Sequence, residues 1–417
     1  MMKHLLCGLA ILLASIGHGY AQSFVCRISG EVEDLSEKQL MLFESGAFTQ
    51  ITPFVTIEIK DGKFDYRLIG DTLKCYTVCL KSEYERGSMR VAEFIAENAA
   101  VHITIPARTG EEDDGIKIVA DGEENGMMMK YIAYKDSMFA LYDPKFKKLE
   151  TERESLDRNK QLFKPIVYEI YSKMEHAQDA QRDSLFQLLP KDRLSDIGAA
   201  LMAKYEDLKD VFRVDLVKWF ESNKCFYSLA GIRNQMLSNK LPKTQARLAD
   251  MFLTYYVDYM PEHPYTQEMI AYGVAASRLQ KGKKYIDYDV RGIDGRNVKL
   301  SSLYTGKIIL IDMWASWCGP CRRRAKAIIP VYEKYKDKGF QIIGIAREMN
   351  MENMKSAIEK DGYPWLNLLE LNDQHAVWLK NGLQNSAGGG FLIDEQGTIL
   401  AVYPEADELE KILQERL

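Results

Sequence analysis

Between residues 54 and 68 apolar and polar side chains alternate, with Val55, Ile57 and Ile59 on one arm and Phe64, Tyr66 and Leu68 on the other. A period of two is that of a half-buried strand, and the Asp61-Gly62 pair between the arms is a hairpin signal. "KCYTVCLK" (74–81) and "VHITIP" (101–106) add further strands. Residues 23–107 are therefore expected to form a small, mainly-β, sandwich-like domain. From about residue 125 to 282 the spacing lengthens. Phe163, Val167, Ile170 and Met174 recur every three or four residues, as do apolar positions in "DVFRVDLVKWFESN" and "ARLADMFLTYYVDYM". That is the period of helices that bury one stripe, and Trp219, Tyr255 and Tyr256 read as parts of such stripes rather than as a binding surface.

Gly282 and the lysines around it close the helical region. Over 283–417 the pattern becomes strand and helix in turn: a strand at Lys307 to Trp314, a helix after Cys318, a strand in "FQIIGIAR" and a helix in "MENMKSAIEK". A hairpin follows in "GGGFLIDEQGTILAVY", turning at Glu395-Gln396-Gly397, and a last helix sets Leu409, Ile412, Leu413 and Leu417 on one side. Such alternation predicts an α/β sheet.

A chain of 417 residues exceeds what one compact core organises, in keeping with these three regions. The net charge of -5 gives no electrostatic reason to expect nucleic acid or an anionic membrane as partner. Residues 1–21 stand apart: Lys3, then the apolar run "LLCGLAILLASIG", then Gly19-Tyr20-Ala21 have the three-part form of a cleaved export signal. Six cysteines follow it: Cys26, Cys75, Cys79, Cys225, Cys318 and Cys321. Cys75 and Cys79 share a strand face but lie too far apart to bond each other. Buried thiols are the expected state of this group, with a bridge from Cys26 to one of them left open. Cys225 carries no assigned chemistry. His102, His176, His263 and His375 share no metal-ligand spacing, and no metal or cofactor is expected.

The chemistry concentrates in "IILIDMWASWCGPCRRRAKAIIP" (308–330). Cys318 is expected at the mouth of a buried strand and in the first turn of a helix, where backbone N–H groups and the helix dipole favour a thiolate. The Gly319-Pro320 spacer puts the Cys321 sulfur on the same turn, and Pro320 stiffens it where a missing donor costs little. Arg322, Arg323 and Arg324 are expected to favour the thiolate further. Cys318 is thus the attacking, exposed sulfur and Cys321 the resolving one. A zinc half-site would need two more ligands that no second cysteine or histidine pair supplies. A structural disulfide would not need Trp317 and Gly319-Pro320 around it.

This segment resembles the active site of thioredoxins. Together with "DYDVRGIDGRNVKLSSLYTGK", "VYEKYKDKGFQIIGI" and "FLIDEQGTIL", it is similar to the exported TlpA-like and ResA-like thioredoxins of Bacteroidetes type over residues 283–417. Residues 23–107, with "IKDGKF" and "EFIAENAAVHITI", resemble the small β domain of unknown function that precedes such thioredoxins. The resemblance implies a thioredoxin fold and a periplasmic thiol–disulfide oxidoreductase without cofactor. Its implied partners are protein thiols and disulfides in the periplasm and a membrane-linked electron donor; nothing fixes an oligomeric state. Asp312 falls on the buried carboxylate that moves the resolving cysteine's proton, the other reading being a strand-end cap. The Gly-Pro spacer, like that of reducing thioredoxins, suggests a reductase. Two positions depart from the pattern. Arg324 stands where such proteins often carry glutamate, and Gly388 stands at the cis-proline facing the dithiol, leaving open space before the sulfurs. A second reading, a partner-binding or assembly protein with a secondary redox role, stays open. Peroxidase chemistry is disfavoured, since Ile311 and Ala315 occupy the Pro and Thr positions of a Pro-x-x-x-Thr-x-x-Cys pattern.

Overall fold

The structure is a computed structural model describing residues 23–46, 54–109, 115–190, 192–238, 242–292, 295–383, 386 and 388–417. The export segment, 1–21, lies outside the described residues.

The N-terminal region is a sandwich of two four-stranded sheets. Its strands are β1 (Phe24–Val32), β2 (Gln39–Glu44), β3 (Val55–Glu58), β4 (Lys63–Gly70), β5 (Lys74–Leu80), β6 (Ala92–Ala96), β7 (Ala100–Ile105) and β8 (Lys117–Ala120). One sheet has the order β4-β1-β7-β8 and the other β3-β2-β5-β6. The sandwich runs past residue 107, because β8 pairs with β7 from Val101 to Thr104. At the expected hairpin Asp61 and Gly62 both adopt left-handed backbone, and Lys60 and Lys63 exchange two hydrogen bonds across the turn. The arms then part, β3 joining β2 and β4 joining β1. Parting lets Ile57 and Ile59 on one arm and Phe64 on the other enter one interior from opposite sheets.

Cys26 lies inside the sandwich, whereas Cys75 and Cys79 belong to clusters on other faces. These three and Cys225 are free, buried thiols. Burial pushes Cys26 and Cys79 up to about 11 and Cys75 higher still, so all three stay protonated and inert near neutral pH.

A short helix, α1 (Lys81–Glu85), ends β5. Six longer helices fill the middle of the chain: α2 (Glu123–Arg158), α3 (Pro165–Glu175), α4 (Asp179–Gln187), α5 (Asp196–Ser222), α6 (Phe226–Ser238) and α7 (Pro242–Met251), and α8 (Pro264–Arg278) follows. They cover the outer face of β5 and β6, where Cys75 and Ile95 meet Met128, Phe226 and Tyr265. A π-helical turn, Phe252–Tyr256, continues α7. It rotates the stripe so that Tyr256 is buried and donates to the Phe220 carbonyl, while Tyr255 faces solvent.

The C-terminal region contains β9 (Asp289–Arg291), β10 (Asn297–Lys299), β11 (Ile308–Trp314), α9 (Gly319–Tyr335), β12 (Phe340–Glu348), α10 (Met351–Asp361), β13 (Leu366–Leu371), α11 (Val377–Lys380), β14 (Gly389–Asp394), β15 (Ile399–Val402) and α12 (Ala406–Arg416). They build one seven-stranded sheet, β10-β9-β13-β12-β11-β14-β15. Strand β11, inside the sheet, runs parallel to β12 and antiparallel to β14. Leu310, Ala325, Ile328, Leu409 and Leu413 pack on one face of the sheet. On the other, Ile309, Ile311 and Trp378 pack with Ala275 and Leu279 of α8 and its C-cap, so the helical region closes that face. No helix among the described residues is long and apolar enough to cross a membrane.

Candidate active site

Every residue of β11 is buried, as expected of a strand covered on both faces. It delivers the chain into Ala315-Ser316-Trp317-Cys318 at the C-terminal edge of the sheet. Cys318 is the N-cap of α9, and its sulfur accepts the Cys321 backbone N–H at 3.2 Å. Pro320 sits in the first turn, and a disulfide joins Cys318 to Cys321. The sulfurs do not divide into an exposed and a buried one: Cys318 is 5% and Cys321 6% exposed. Both belong to the core beside the half-buried Trp317, and the exposed surface here is that of Gly319 and Pro320. The expectation that Cys318 is the exposed sulfur is thus corrected for the oxidised state.

The arginines also behave differently from the expectation. Arg322 holds the buried Asp361 carboxylate through Nε at 2.5 Å and Nη2 at 2.9 Å, and Nη1 donates to the Ser316 carbonyl at 3.2 Å. Lys326 reaches the same carboxylate at 2.8 Å. These bonds hold Asp361 far below the usual carboxylate range. Arg324 is buried; its Nη1 donates to Asp312 Oδ1 at 2.7 Å, Nε and Nη2 donate to the Pro404 carbonyl, and its plane lies over Tyr403. Two of the three arginines are therefore neutralised by carboxylates, and only Arg323 is exposed.

Asp312 is 4% exposed, and burial pushes its carboxyl up while the Arg324 bond pulls it back. The residue is neither a strand-end cap nor an isolated acid. It is half of a buried ion pair whose other half stands at the family's glutamate position.

Gly388 lies against the dithiol on the Cys321 side. The space there is filled, however. A Cβ built at Gly388 would stand 2.4 Å from the Met313 carbonyl oxygen and 2.7 Å from Cys321 Sγ. Glycine is required here by close approach of backbone to sulfur. Gly388→Ala is accordingly expected to destabilise the oxidised protein by about 1–3 kcal/mol through overpacking, read as a lowered urea midpoint. An unchanged midpoint would mean the loop yields freely.

Several polar residues at this edge were not singled out from the sequence. Glu348, 1% exposed at the end of β12, accepts the Ser316 N–H at 2.5 Å on Oε1 and the Ser316 hydroxyl at 2.9 Å on Oε2. Burial pushes its carboxyl up, and the two Ser316 bonds oppose that. Its neighbour Arg347 is 4% exposed and grips Asp373 with Nε at 2.8 Å and Nη2 at 2.5 Å, while Nη1 donates to the Ser386 carbonyl at 3.3 Å. On β13, Glu370 is pushed up to about 7 by burial and accepts the His375 N–H at 2.7 Å. Among the described residues no group of three or more His, Cys, Asp or Glu is placed to hold a metal.

Residues 280–416 match the Redoxin family. This part of the chain is a Redoxin domain of thioredoxin-like fold. "Probable glutathione peroxidase 3, mitochondrial" of Arabidopsis thaliana is 28% identical over 199 residues, covering 42% of this chain and 90% of that protein. "Thiol-disulfide oxidoreductase ResA" of Bacillus anthracis is 28% identical over 85 residues, covering 20% of this chain and 49% of that one. The solved thioredoxin domain of a thiol-disulfide oxidoreductase from Bacteroides vulgatus is 28% identical, covers 33% of this chain and 97% of that domain, and gives a TM-score of 0.29. The relatives thus include proteins named as a thiol–disulfide oxidoreductase and as a probable glutathione peroxidase.

Proposed function

We propose that the chain is an exported thiol–disulfide oxidoreductase that reduces protein disulfides in the periplasm through Cys318 and Cys321. The observation that carries this reading is the Cys318–Cys321 disulfide at the start of α9, where the Cys321 N–H already points at the Cys318 sulfur. In the reduced protein the Cys318 thiolate attacks one sulfur of a substrate disulfide, breaking that bond and releasing one substrate thiolate. Cys321 then attacks the Cys318 sulfur, releases the second substrate thiolate and closes the ring. Two electrons pass to the substrate, and a membrane-linked dithiol donor restores the pair. Asp312 takes the Cys321 proton in this scheme. Export is supported by the three-part form of residues 1–21.

The reduced protein should accelerate insulin reduction by dithiothreitol, and a Cys321→Ser variant expressed with its export signal should hold periplasmic proteins as mixed disulfides. A rate no greater than that of dithiothreitol alone would end this reading.

The likeness to a glutathione peroxidase supports a second reading. Here the Cys318 thiolate attacks a peroxide oxygen, the O–O bond breaks with release of the alcohol, and the resulting sulfenic acid condenses with the Cys321 thiol to the disulfide with loss of water. Consumption of cumene hydroperoxide faster than insulin reduction would favour it.

A further inference from the structure

Arg347 and Glu348 are consecutive at the end of β12, so their side chains leave the strand on opposite faces. Each is almost fully buried, and each ends on one of the two loops that flank the disulfide. Glu348 receives both donors of Ser316, two residues before Cys318. The Ser316 carbonyl is held from the other side by Arg322, itself fixed by Asp361. The Cys318 N–H in turn donates to the Ala315 carbonyl at 3.0 Å. Every backbone polar group of Ser316 therefore ends on a charged side chain belonging to another element. Among the described residues no cation pairs with Glu348; Ser316 is what its carboxylate serves.

Arg347 does the corresponding work on the other loop. Its Nη1 and the Trp378 indole N–H, at 3.0 Å, both donate to the Ser386 carbonyl, and the Ser386 hydroxyl donates to the Gly388 carbonyl at 3.1 Å. Gly388 is the residue at which a Cβ would stand 2.7 Å from Cys321 Sγ. Asp373 anchors the guanidinium from a turn in which Asn372, Asp373 and Ala376 all take left-handed backbone. A non-glycine residue there costs of order 1–3 kcal/mol, and three such residues are kept in one turn that presents Asp373 to Arg347.

We propose that Arg347 and Glu348 are positioning residues for disulfide exchange: Glu348 fixes Ser316, two residues before Cys318, and Arg347 fixes Ser386, which in turn holds Gly388 beside Cys321, where an extended substrate would pass. No proline stands at 384–388, and Arg347 holds the Ser386 carbonyl from outside. The inference rests on the oxidoreductase reading above. A loop-fixing role through placement of reacting atoms is worth up to about 10²-fold for a displacement near 1 Å.

The test compares one small disulfide, 5,5′-dithiobis(2-nitrobenzoic acid), with insulin as substrates of the full-length reduced protein. Melting temperature is measured for every variant. Glu348→Gln keeps the volume but removes the charge that both Ser316 donors share. It is expected to slow both substrates together by about tenfold, leaving their ratio within about threefold. Arg347→Met is expected to slow insulin at least about tenfold more than the small disulfide, mainly through KM, because only a long substrate extends past the sulfurs to Gly388. Ser316→Ala and Asp373→Asn loosen the same two contacts from the exposed or half-buried side, and should give milder copies of the two patterns. Ser316→Thr, which keeps the hydroxyl, should restore the wild-type rate. The inference is overturned if Glu348→Gln and Arg347→Met change the two substrates by the same factor as each other. It is equally overturned if they lower melting temperature alone, with rates intact. A wild-type protein inactive on both substrates overturns the oxidoreductase reading first, and this inference with it.

Discussion

Cys318→Ser is expected to abolish insulin reduction, with a loss of at least about 10³-fold, as removal of a nucleophile costs in other enzymes of covalent mechanism. A serine hydroxyl is not ionised near neutral pH and cannot form the mixed disulfide. Nor can Cys321 take over the attack. Its sulfur is buried beside Gly388, without the N-cap position that favours a thiolate at Cys318. Cys321→Ser should behave differently: the first attack proceeds at near its usual rate, and the mixed disulfide then accumulates because no resolving thiol follows. Stopped-flow measurement of thiol release from a small disulfide, with mass spectrometry of the adduct, separates the two. A Cys318→Ser variant retaining a tenth of the activity would mean that Cys321 is reached directly, and the assignment of roles would reverse.

The thiol pair and its setting were legible in the sequence because both are local. A buried apolar strand, a two-residue spacer and a helix start lie within residues 308–330 and need no distant partner. The α/β alternation after residue 283 was legible for the same reason, although β13 was not. "LNLLEL" lacks strict alternation, with Asn367 and Glu370 inside an apolar run, and its pairing with β12 and β9 defines it. The fate of the hairpin at Asp61-Gly62 shows the other limit. Turn chemistry fixed the backbone at residues 60–63, but which sheet each arm joins depends on the shared interior that Ile57 and Phe64 fill. Arg324 was read as a charge acting on the thiolate and Glu348 was not read at all, since a single charged residue in a helix or at a strand end is usually exposed. Their partners, Asp312 and Ser316, stand twelve and thirty-two positions away. No local pattern announces that kind of contact.

The ion pair at Asp312 and Arg324 carries the largest expected effect on stability. Both side chains are about 5% exposed, so removal of either partner strands a charge in the core, which costs about 3–5 kcal/mol. Asp312→Asn is thus expected to destabilise the protein instead of leaving its melting temperature unchanged, because Arg324 keeps its charge whatever the pH. Arg324→Met is expected to be as costly near pH 7 but strongly pH-dependent. The folded-state Asp312 carboxyl already lies above its ordinary 3.8, so the folded protein binds this proton more tightly than the unfolded chain does. Stability from this group is therefore fully present below the ordinary value and is lost as pH rises through the folded one. Loss of Arg324 removes the cation that restrains the upward shift, so the window widens towards neutral pH and the deficit of the variant should shrink on acidification towards pH 4. The Pro404 carbonyl and the Tyr403 ring also lose their contact with the guanidinium, which leaves a remainder that pH does not relieve. The double variant, neutral at both positions, should be destabilised by clearly less than the sum of the two singles. Urea unfolding of the four proteins at pH 5 and pH 8 measures this. Additive losses that are equal at both values would show that the pair contributes nothing as a pair. In that case Asp312 would be left free to act as the proton acceptor for Cys321. A large coupling energy instead makes the Arg324-bound carboxylate a poor proton carrier, and turnover of the double variant then decides how much of the resolving step it supplies.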